Sequence, residues 1–323
     1  MSIPSHAVLL LTHSADHFTI DRVQEGVVRR RHVPIRLDTD RFPGDSQLTT
    51  RVGPGGSSLR LRLDGNDLPI DEVGAVWMRR VVDGPRPEGL SELEADHCVR
   101  ESRAALDGFL SGLDHAAWLD PLPRVRHAQN KLVQLREALR AGLHIPLTVV
   151  GNDPDEVRGL WDACGGQVVT KMLTPVTRSM GAPPAAVYTH ALSAADLDDL
   201  DGLALSPMIF QQRIDKRREL RVIYVAGRCF AGSLAATSDD WRTGTPGPVS
   251  PWRRDALPDD VAARFDAMMR VLGLRFGAAD FLLARDGSYY FLEVNPAGEW
   301  GMLERDLELP IADAIAEELC KQR

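Results

Sequence analysis

Residues 275–300 read RFGAADFLLARDGSYYFLEVNPAGEW: two apolar runs, FGAADFLLA and YYFLEVN, joined by Arg285-Asp286-Gly287-Ser288. Asp-Gly between β-rich runs is a strong short-range hairpin signal. With Asp286 and Gly287 as the two loop residues, Arg285 faces Ser288, and counting back along both strands sets Asp280 directly opposite Glu293. Asn295, two residues past Glu293, projects from the same face. Three oxygen-bearing side chains thereby converge in an otherwise apolar segment. Two carboxylates facing each other at about 5 Å destabilise a sheet unless a cation or a shared proton lies between them. A hard divalent ion with oxygen ligands, Mg²⁺ held together with nucleotide phosphates, resolves that conflict. The same spacing also suits a solvated polar face on an edge hairpin.

The 323 residues suffice for two or three packed units, and 44% hydrophobic with 26% charged is ordinary globular composition. Asp and Glu number 46 against 38 Lys and Arg, a net charge of −8, which argues against broad nonspecific nucleic-acid binding. Cys98, Cys164, Cys229 and Cys320 are scattered without metal-ligand spacing, as expected of reduced thiols in a cytoplasmic protein. No apolar run approaches the ~20 residues needed to span a bilayer, and no basic segment followed by a long apolar one opens the chain. A soluble, unexported protein with no membrane association is expected. Lysine occurs only at 131, 171, 216 and 321, so each internal lysine merits attention, although chance suffices for Lys216 and Lys321.

From the N-terminus, AVLLLT (7–12) predicts a strand, 20–30 a helix and VPIRLD (33–38) a second strand, half of an α/β layer unit. The turn at 13–16 has no glycine, which speaks against a dinucleotide phosphate loop. Alternating Leu59, Leu61 and Leu63 place a strand or hairpin within 51–68. A strand over 75–82 carries Arg79 and Arg80, whose alternation sends at most one of them into any given pocket. Helices are predicted over 93–110 and over 128–141, the latter burying Ala128, Leu132, Leu135 and Leu139 with Lys131 beside the stripe, able to carry its ammonium to the rim. After a helix at 153–164, QVVTK (167–171) is a strand ending in Lys171. The hydroxyl-rich loop 172–186 beyond it is suited to gripping phosphates, although it is not a Walker A sequence. PMIFQQRI (207–214) is a short strand, and ELRVIYVAG (219–227) puts Glu219 and Arg221 on one face, Leu220 and Val222 on the other. A second hairpin at Gly227-Arg228, a Gly/Pro-rich loop holding DDWR (239–242), and helices over 259–272 and 311–319 complete the chain.

This order of helix-lysine, strand-lysine, hinge strand, ELR strand and D…ExN hairpin resembles the ATP-grasp superfamily, and within it the RimK-like ligases and the microviridin-type peptide maturases that make graspetides. The resemblance spans nearly the whole chain, through LLLTHSADHFTIDRV, LDTDRFP, VWMRR, NKLVQLREALRAGLHIPLTVVGND, FQQRI…ELRV, DDWR and FLEVNPAGEW. It implies an α/β (α+β ATP-grasp) fold: an N-terminal α/β pre-ATP-grasp domain over 1–120, a central ATP-grasp domain over 121–206 and a C-terminal catalytic one over 207–323, with ATP between the last two. Matched residue by residue, Lys131 and Lys171 fall on phosphate-contacting lysines. Gln212 and Ile214 fall on hinge positions at the adenine edge, with Gln211, Arg213 and Glu219 in the same ATP-binding set. Arg221 and Arg242 fall near the triphosphate and the developing acylphosphate, making Arg221, Arg242 and Lys171 the candidate catalytic residues. Asp280, Glu293 and Asn295 fall on the magnesium ligands, the same three that the hairpin register brings together. Position 212 departs from the glutamate of many relatives, and the loop 172–186 has a single glycine where RimK-like ligases have more.

A carboxylate is a poor electrophile until phosphorylated, and transfer of a phosphoryl group requires positioning and charge neutralisation rather than covalent help. An acylphosphate must then meet its acceptor before water does, which requires a closing lid; 172–186 and 238–251 are the candidates. The resemblance implies that the substrate is a ribosomally made precursor peptide whose Asp or Glu side chain is activated and captured by a Thr or Ser hydroxyl, or a Lys amine, of the same peptide. Arg79, Arg80, Arg213, Arg217 and Arg218 include candidates to hold the acidic core, since arginine pairs bidentately with carboxylates, the alternative being solvated surface arginines. Asp198 and Asp199, in an acidic run from 196 to 201, could receive a basic leader residue or simply be solvated. A homodimer is also implied. Two competing functions use the same residues: a RimK-like or D-alanine-ligase-like amide ligase that adds an amino acid to a small molecule or a protein terminus, and a catalytically silent nucleotide-binding regulator.

Overall fold

In the computed structural model, which describes residues 6–68, 70–173, 189–236 and 252–321, the run AVLLLT forms strand β1 (Ala7–Thr12), buried along its whole length. A strand covered on both faces reads as a continuous apolar run, and β1 is indeed interior to its sheet. Helix α1 (Phe18–Arg29) leads to β2 (Val33–Asp38). The alternating stretch near 51–68 is a three-stranded antiparallel sheet of β3 (Ser46–Gly53), β4 (Gly56–Leu63) and β5 (Asn66–Leu68). Then come β6 (Val73–Met78), helix α2 (Glu92–Ser111), closed at its start by a Ser91/Glu94 capping box, and β7 (Ala117–Leu119). The N-terminal sheet runs β2-β1-β6-β7, all parallel. Its strand β6 stops at Met78, four residues short of the expected end. Arg79 and Arg80 both donate their backbone N–H to Leu11 O, so side-chain alternation lapses there.

The single helix expected over 128–141 is two. Ala128 closes α3 (Leu122–Ala128), and α4 (Lys131–Arg140) starts afresh because the Asn130 side chain accepts hydrogen bonds from the N–H groups of Leu132 and Val133. The restart resets the buried face to Gln134, Leu135 and Ala138, leaving Leu139 64% exposed. Next follow β8 (Thr148–Gly151), α5 (Pro154–Ala163), β9 (Val168–Lys171), β10 (His190–Ala191) and β11 (Met208–Gln212). These strands form an antiparallel sheet in the order β10-β9-β11-β8, with a small core of its own around Val157, Leu160, Val168 and Phe210.

The C-terminal sheet is antiparallel in the order β14-β13-β12-β15-β16. Its strands are β12 (Lys216–Val225), β13 (Arg228–Ala235), β14 (Arg253–Asp255), β15 (Phe276–Ala284) and β16 (Tyr289–Asn295). Helix α6 (Asp259–Leu272) precedes the last hairpin, α7 (Gly301–Leu307) follows it unannounced by any periodicity noted above, and α8 (Ile311–Leu319) ends the fold. One apolar layer joins Leu9, Leu11 and Val76 of the N-terminal sheet to Leu220, Phe281 and α6; another joins Val8, Leu10 and Trp77 to Ile223, Val225, α1 and α8. The odd face of β12 therefore turns apolar after Arg221, and only its first half is left polar.

The β15–β16 hairpin differs from the expected two-residue loop in two compensating ways. Arg285, Asp286 and Gly287 all lie in the loop: Leu283 pairs with Tyr289, Ala284 N–H donates to Ser288 O, and Gly287 has φ +91°, as in a three-residue connection ending on a left-handed residue. This register holds as far as Phe281 opposite Phe291. A bulge at Leu292 then absorbs one residue, so that Asp280 faces Glu293 after all. Packing explains the bulge. Phe291 and Val294, an odd number of residues apart, are both buried in one core, Phe291 with its ring 5.5 Å from that of Phe281. Strict alternation cannot place both inward. The extra residue shifts the phase, sending Glu293 to the opposite face immediately afterwards.

Candidate active site

Register aligns Arg221 on β12, Asp280 on β15 and Glu293 on β16 in one row across the sheet. Arg221 Nη1 lies 2.9 Å from Asp280 Oδ1, while its Nε and Nη2 donate to Glu299 O at 3.3 and 3.0 Å. On the other flank, Lys131 Nζ is 2.9 Å and Lys171 Nζ 3.9 Å from Glu293 Oε2. Lys131 arrives as the first residue of α4 and also donates to Met172 O at 2.9 Å; Lys171 arrives from the end of β9. The helix and two sheets thus meet at one carboxylate.

These five side chains are each between 9% and 19% exposed, where an ion without a partner is strongly unfavourable. The two facing carboxylates tolerate each other because each carries a protein cation on its outer side. Asn295 stands beside them opposite Ala278, its Oδ1 accepting from Ala297 N–H at 3.0 Å. Among the described residues no group of three or more His, Cys, Asp or Glu suits a metal ion. The set here is two carboxylates and an amide, an all-oxygen set that fits a hard ion completing its shell with phosphate oxygens and water.

The remaining candidates are more dispersed. Gln211 is buried with its amide donating to Thr148 Oγ1, and Gln212 pairs by backbone with Leu147, its Oε1 accepting from Leu147 N–H at 3.4 Å. Ile214 is half-buried in the link from β11 to β12, and Arg213 is exposed against Gln167 Oε1. Glu219 accepts from Lys216 Nζ at 2.9 Å. Arg218 pairs with Asp255 at 2.9 Å, whereas Arg217, Asp198 and Asp199 are exposed. Arg242, all of the lid candidate 238–251, and all of 172–186 except Met172 and Leu173 lie outside the described residues.

Arg79 and Arg80 line one cavity of about 530 Å³ together with His13, His17, Glu299 and Arg305, contrary to the alternation argument, since β6 has already ended. Their situations differ. Arg79 is fully buried, bonded to the Glu299 carboxylate, to Ala297 O at 3.0 Å and at 3.6 Å to Asp16. Burial acts to raise the Asp16 pKa but is outweighed by the Thr19 hydrogen bond, Arg79 and Thr12, leaving it lowered. Arg80 is half-buried and feels Glu299 and Asp16 without closing an ion pair on either; burial, then the Arg79 charge, lower its pKa.

Residues 7–126 match the family model of the MvdD pre-ATP grasp domain. The macrocyclase MdnB from Microcystis aeruginosa MRC is 43% identical over 98% of this chain and 99% of its own, with a TM-score of 0.84. The chain belongs to the ATP-grasp macrocyclase family. MdnC from the same organism, solved bound with precursor peptide MdnA, is 31% identical over 97% of this chain and 99% of its own, TM-score 0.87. A Chryseobacterium gregarium RiPP-associated ATP-grasp ligase, in complex with ADP and a leader and core peptide, is 29% identical over 98% and 96% of the two chains, TM-score 0.90. No curated protein sequence matched. The macrocyclase therefore has the mixed α/β ATP-grasp fold with its N-terminal pre-ATP-grasp domain.

Two macrocyclase residues escaped the sequence argument. Lys216, attributed to chance, is only 12% exposed and paired with Glu219 at 2.9 Å; a register shift between Lys216 and Arg218 brings it there, and lysine scarcity was the available signal. Glu299 joins Arg79 to Arg221, a contact no local pattern encodes.

Proposed function

We propose that this macrocyclase uses ATP to phosphorylate Asp or Glu side chains of a ribosomally made precursor peptide and closes each onto a Thr or Ser hydroxyl, or a Lys amine, of the same peptide. The observation that carries this is the charged row Arg221–Asp280–Glu293 with Lys131 and Lys171 at its end. Lys131, Lys171 and Arg221 would neutralise phosphate oxygens. Asp280, Glu293 and Asn295 would hold Mg²⁺, which when bound supplies further neutralisation of those oxygens. A substrate carboxylate oxygen attacks the γ-phosphorus in line, the bond to the β–γ bridging oxygen breaks, and ADP departs. The hydroxyl oxygen or amine nitrogen then attacks the acyl carbon, the carbon–oxygen bond to phosphate breaks, phosphate leaves, and the nucleophile's proton passes to solvent.

For the peptide we assign Arg80 as the carboxylate receiver, because Arg79 is already engaged by Glu299 and Asp16 in the same cavity. The exposed Arg213 and Arg217, and the turn at Asp198 and Asp199 facing a basic leader, are secondary contacts. Arg242 is proposed to act at the acylphosphate, and Gln211 to Ile214 with Glu219 at the nucleoside. We also propose a homodimer, domain divisions near 120 and 206, and a cytoplasmic location, supported by four free cysteines. No described helix is long and apolar enough to cross a membrane. Arg80→Glu is expected to abolish ring formation while leaving basal ATP hydrolysis within about twofold, whereas Asp280→Asn should lower hydrolysis itself by ~100-fold or more. Unaltered cyclisation by Arg80→Glu would remove that residue from the site.

A further inference from the structure

Gln134 lies one turn after Lys131 on α4 and is 2% exposed, a place where a polar side chain persists only with its hydrogen bonds met. They are met on the outer side of β16. That strand is the edge of its sheet, and its outward backbone groups have no further strand to pair with. Phe291 N–H finds His144 O at 2.9 Å. At Val294 the Gln134 amide takes the place of a strand: Val294 N–H donates to Oε1 at 2.9 Å, and Nε2 donates to Val294 O at 2.7 Å and to Ala128 O at 2.6 Å. Val294 stands between Glu293 and Asn295, and the helix that carries Gln134 also delivers Lys131 to Glu293.

We propose, on the footing of the function above, that Gln134 is a positioning residue whose amide clamps the main chain at Val294 and so presents Glu293 and Asn295 as a preformed oxygen-ligand pair for the nucleotide's divalent ion. It touches neither nucleotide nor peptide. A methionine at this position fills the space but leaves the N–H and C=O of Val294 and the Ala128 carbonyl without partners in a dry contact. The edge strand then loosens beside the ligands while the sheet beneath, held by Phe281 and Phe291, stays packed.

The test compares wild type with Gln134→Met by amide hydrogen exchange and by calorimetric titration with Mg²⁺ and ADP. Exchange at Val222, inside the sheet, serves as the control for folding. In Gln134→Met, exchange at Val294 should accelerate by ~10-fold or more with Val222 unchanged, as local opening allows. Affinity for ADP with Mg²⁺ should fall ~10-fold, and the Mg²⁺ concentration for half-maximal ATP turnover should rise with peptide KM constant. Wild-type values for Val294 exchange and ADP affinity in the folded variant would overturn the proposal. Should Gln134→Met fail to fold, Gln134→Asn, polar but one methylene too short, is judged by the same two readouts. Failure of the wild-type protein to condense any peptide would count against the macrocyclase function alone, since neither Val294 exchange nor ADP affinity uses peptide.

Discussion

Gly298 has no room for a side chain: a Cβ there would meet the Ala278 side chain, Arg221 Nη2 at 3.0 Å and Asn295 Cβ at 3.1 Å. Ala278 sits on an inner strand and cannot yield, so the turn carrying Gly298 must shift, taking the Glu299 carbonyl away from Arg221. Gly298→Ala should cost about 1–3 kcal/mol in stability and lower ATP turnover at least ~10-fold by displacing Arg221 from Asp280; steady-state kinetics beside a urea midpoint separates the two effects. A second residue lies away from the site. Asp120 is fully buried and accepts from the backbone N–H groups of Arg275 and Phe276, yet burial pushes its carboxyl up to about 7, against those hydrogen bonds. Its folded pKa exceeds the unfolded value of 3.8, so the native state binds the proton more tightly, and stability declines as pH rises between those two values. Asp120→Asn should flatten that slope when urea midpoints are compared at about pH 5 and pH 8; an unchanged slope would count against it.

At the scale of elements, α4 is where local chemistry and site geometry coincide. Asn130→Ala removes the acceptor for Leu132 and Val133 N–H and should cost about 1 kcal/mol. Because the helix begins at Lys131, the same change should raise KM for ATP, with Asn130→Ser restoring both. The capping residue was visible in the sequence as the Asn of NKLVQ, but the apolar residues on either side of it share a spacing that merges two helices into one. Phase, not composition, was the missing quantity. The last hairpin illustrates the same limit from the favourable side. Asp-Gly located the turn and the carboxylates found each other, although the loop is one residue longer and a bulge at Leu292 restores the register. The spacing of Phe291 and Val294, both apolar and odd, was the sequence's own mark of that bulge. Its cause is the tertiary aromatic core of Phe265, Phe281 and Phe291, which no strand-level rule contains.

At the scale of the whole molecule, the N-terminal and C-terminal sheets share two apolar layers, whereas the central sheet keeps a small core of its own. A chain of polar contacts crosses the first boundary, from Arg79 to the Glu299 carboxylate and from the Glu299 carbonyl to Arg221 and Asp280, and Lys171 reaches across the second to Glu293. Such long-range pairings are invisible to periodicity, which is why the facing of Asp280 and Glu293 was legible before the cavity beside it. A cavity of about 530 Å³, lined by His13, Arg79 and Arg80 from the N-terminal part and by Glu299 and Arg305 from the C-terminal part, thus adjoins the row proposed to handle phosphate. The central claim is that the two act on one molecule. Mass spectrometry of the purified protein with ATP, Mg²⁺ and its precursor peptide tests this most directly. We predict losses of about 18 Da per ring, one water for each condensation that follows carboxylate activation, with ADP released. ADP release accompanied by a gain in mass, from a residue added to a separate acceptor, would contradict the account.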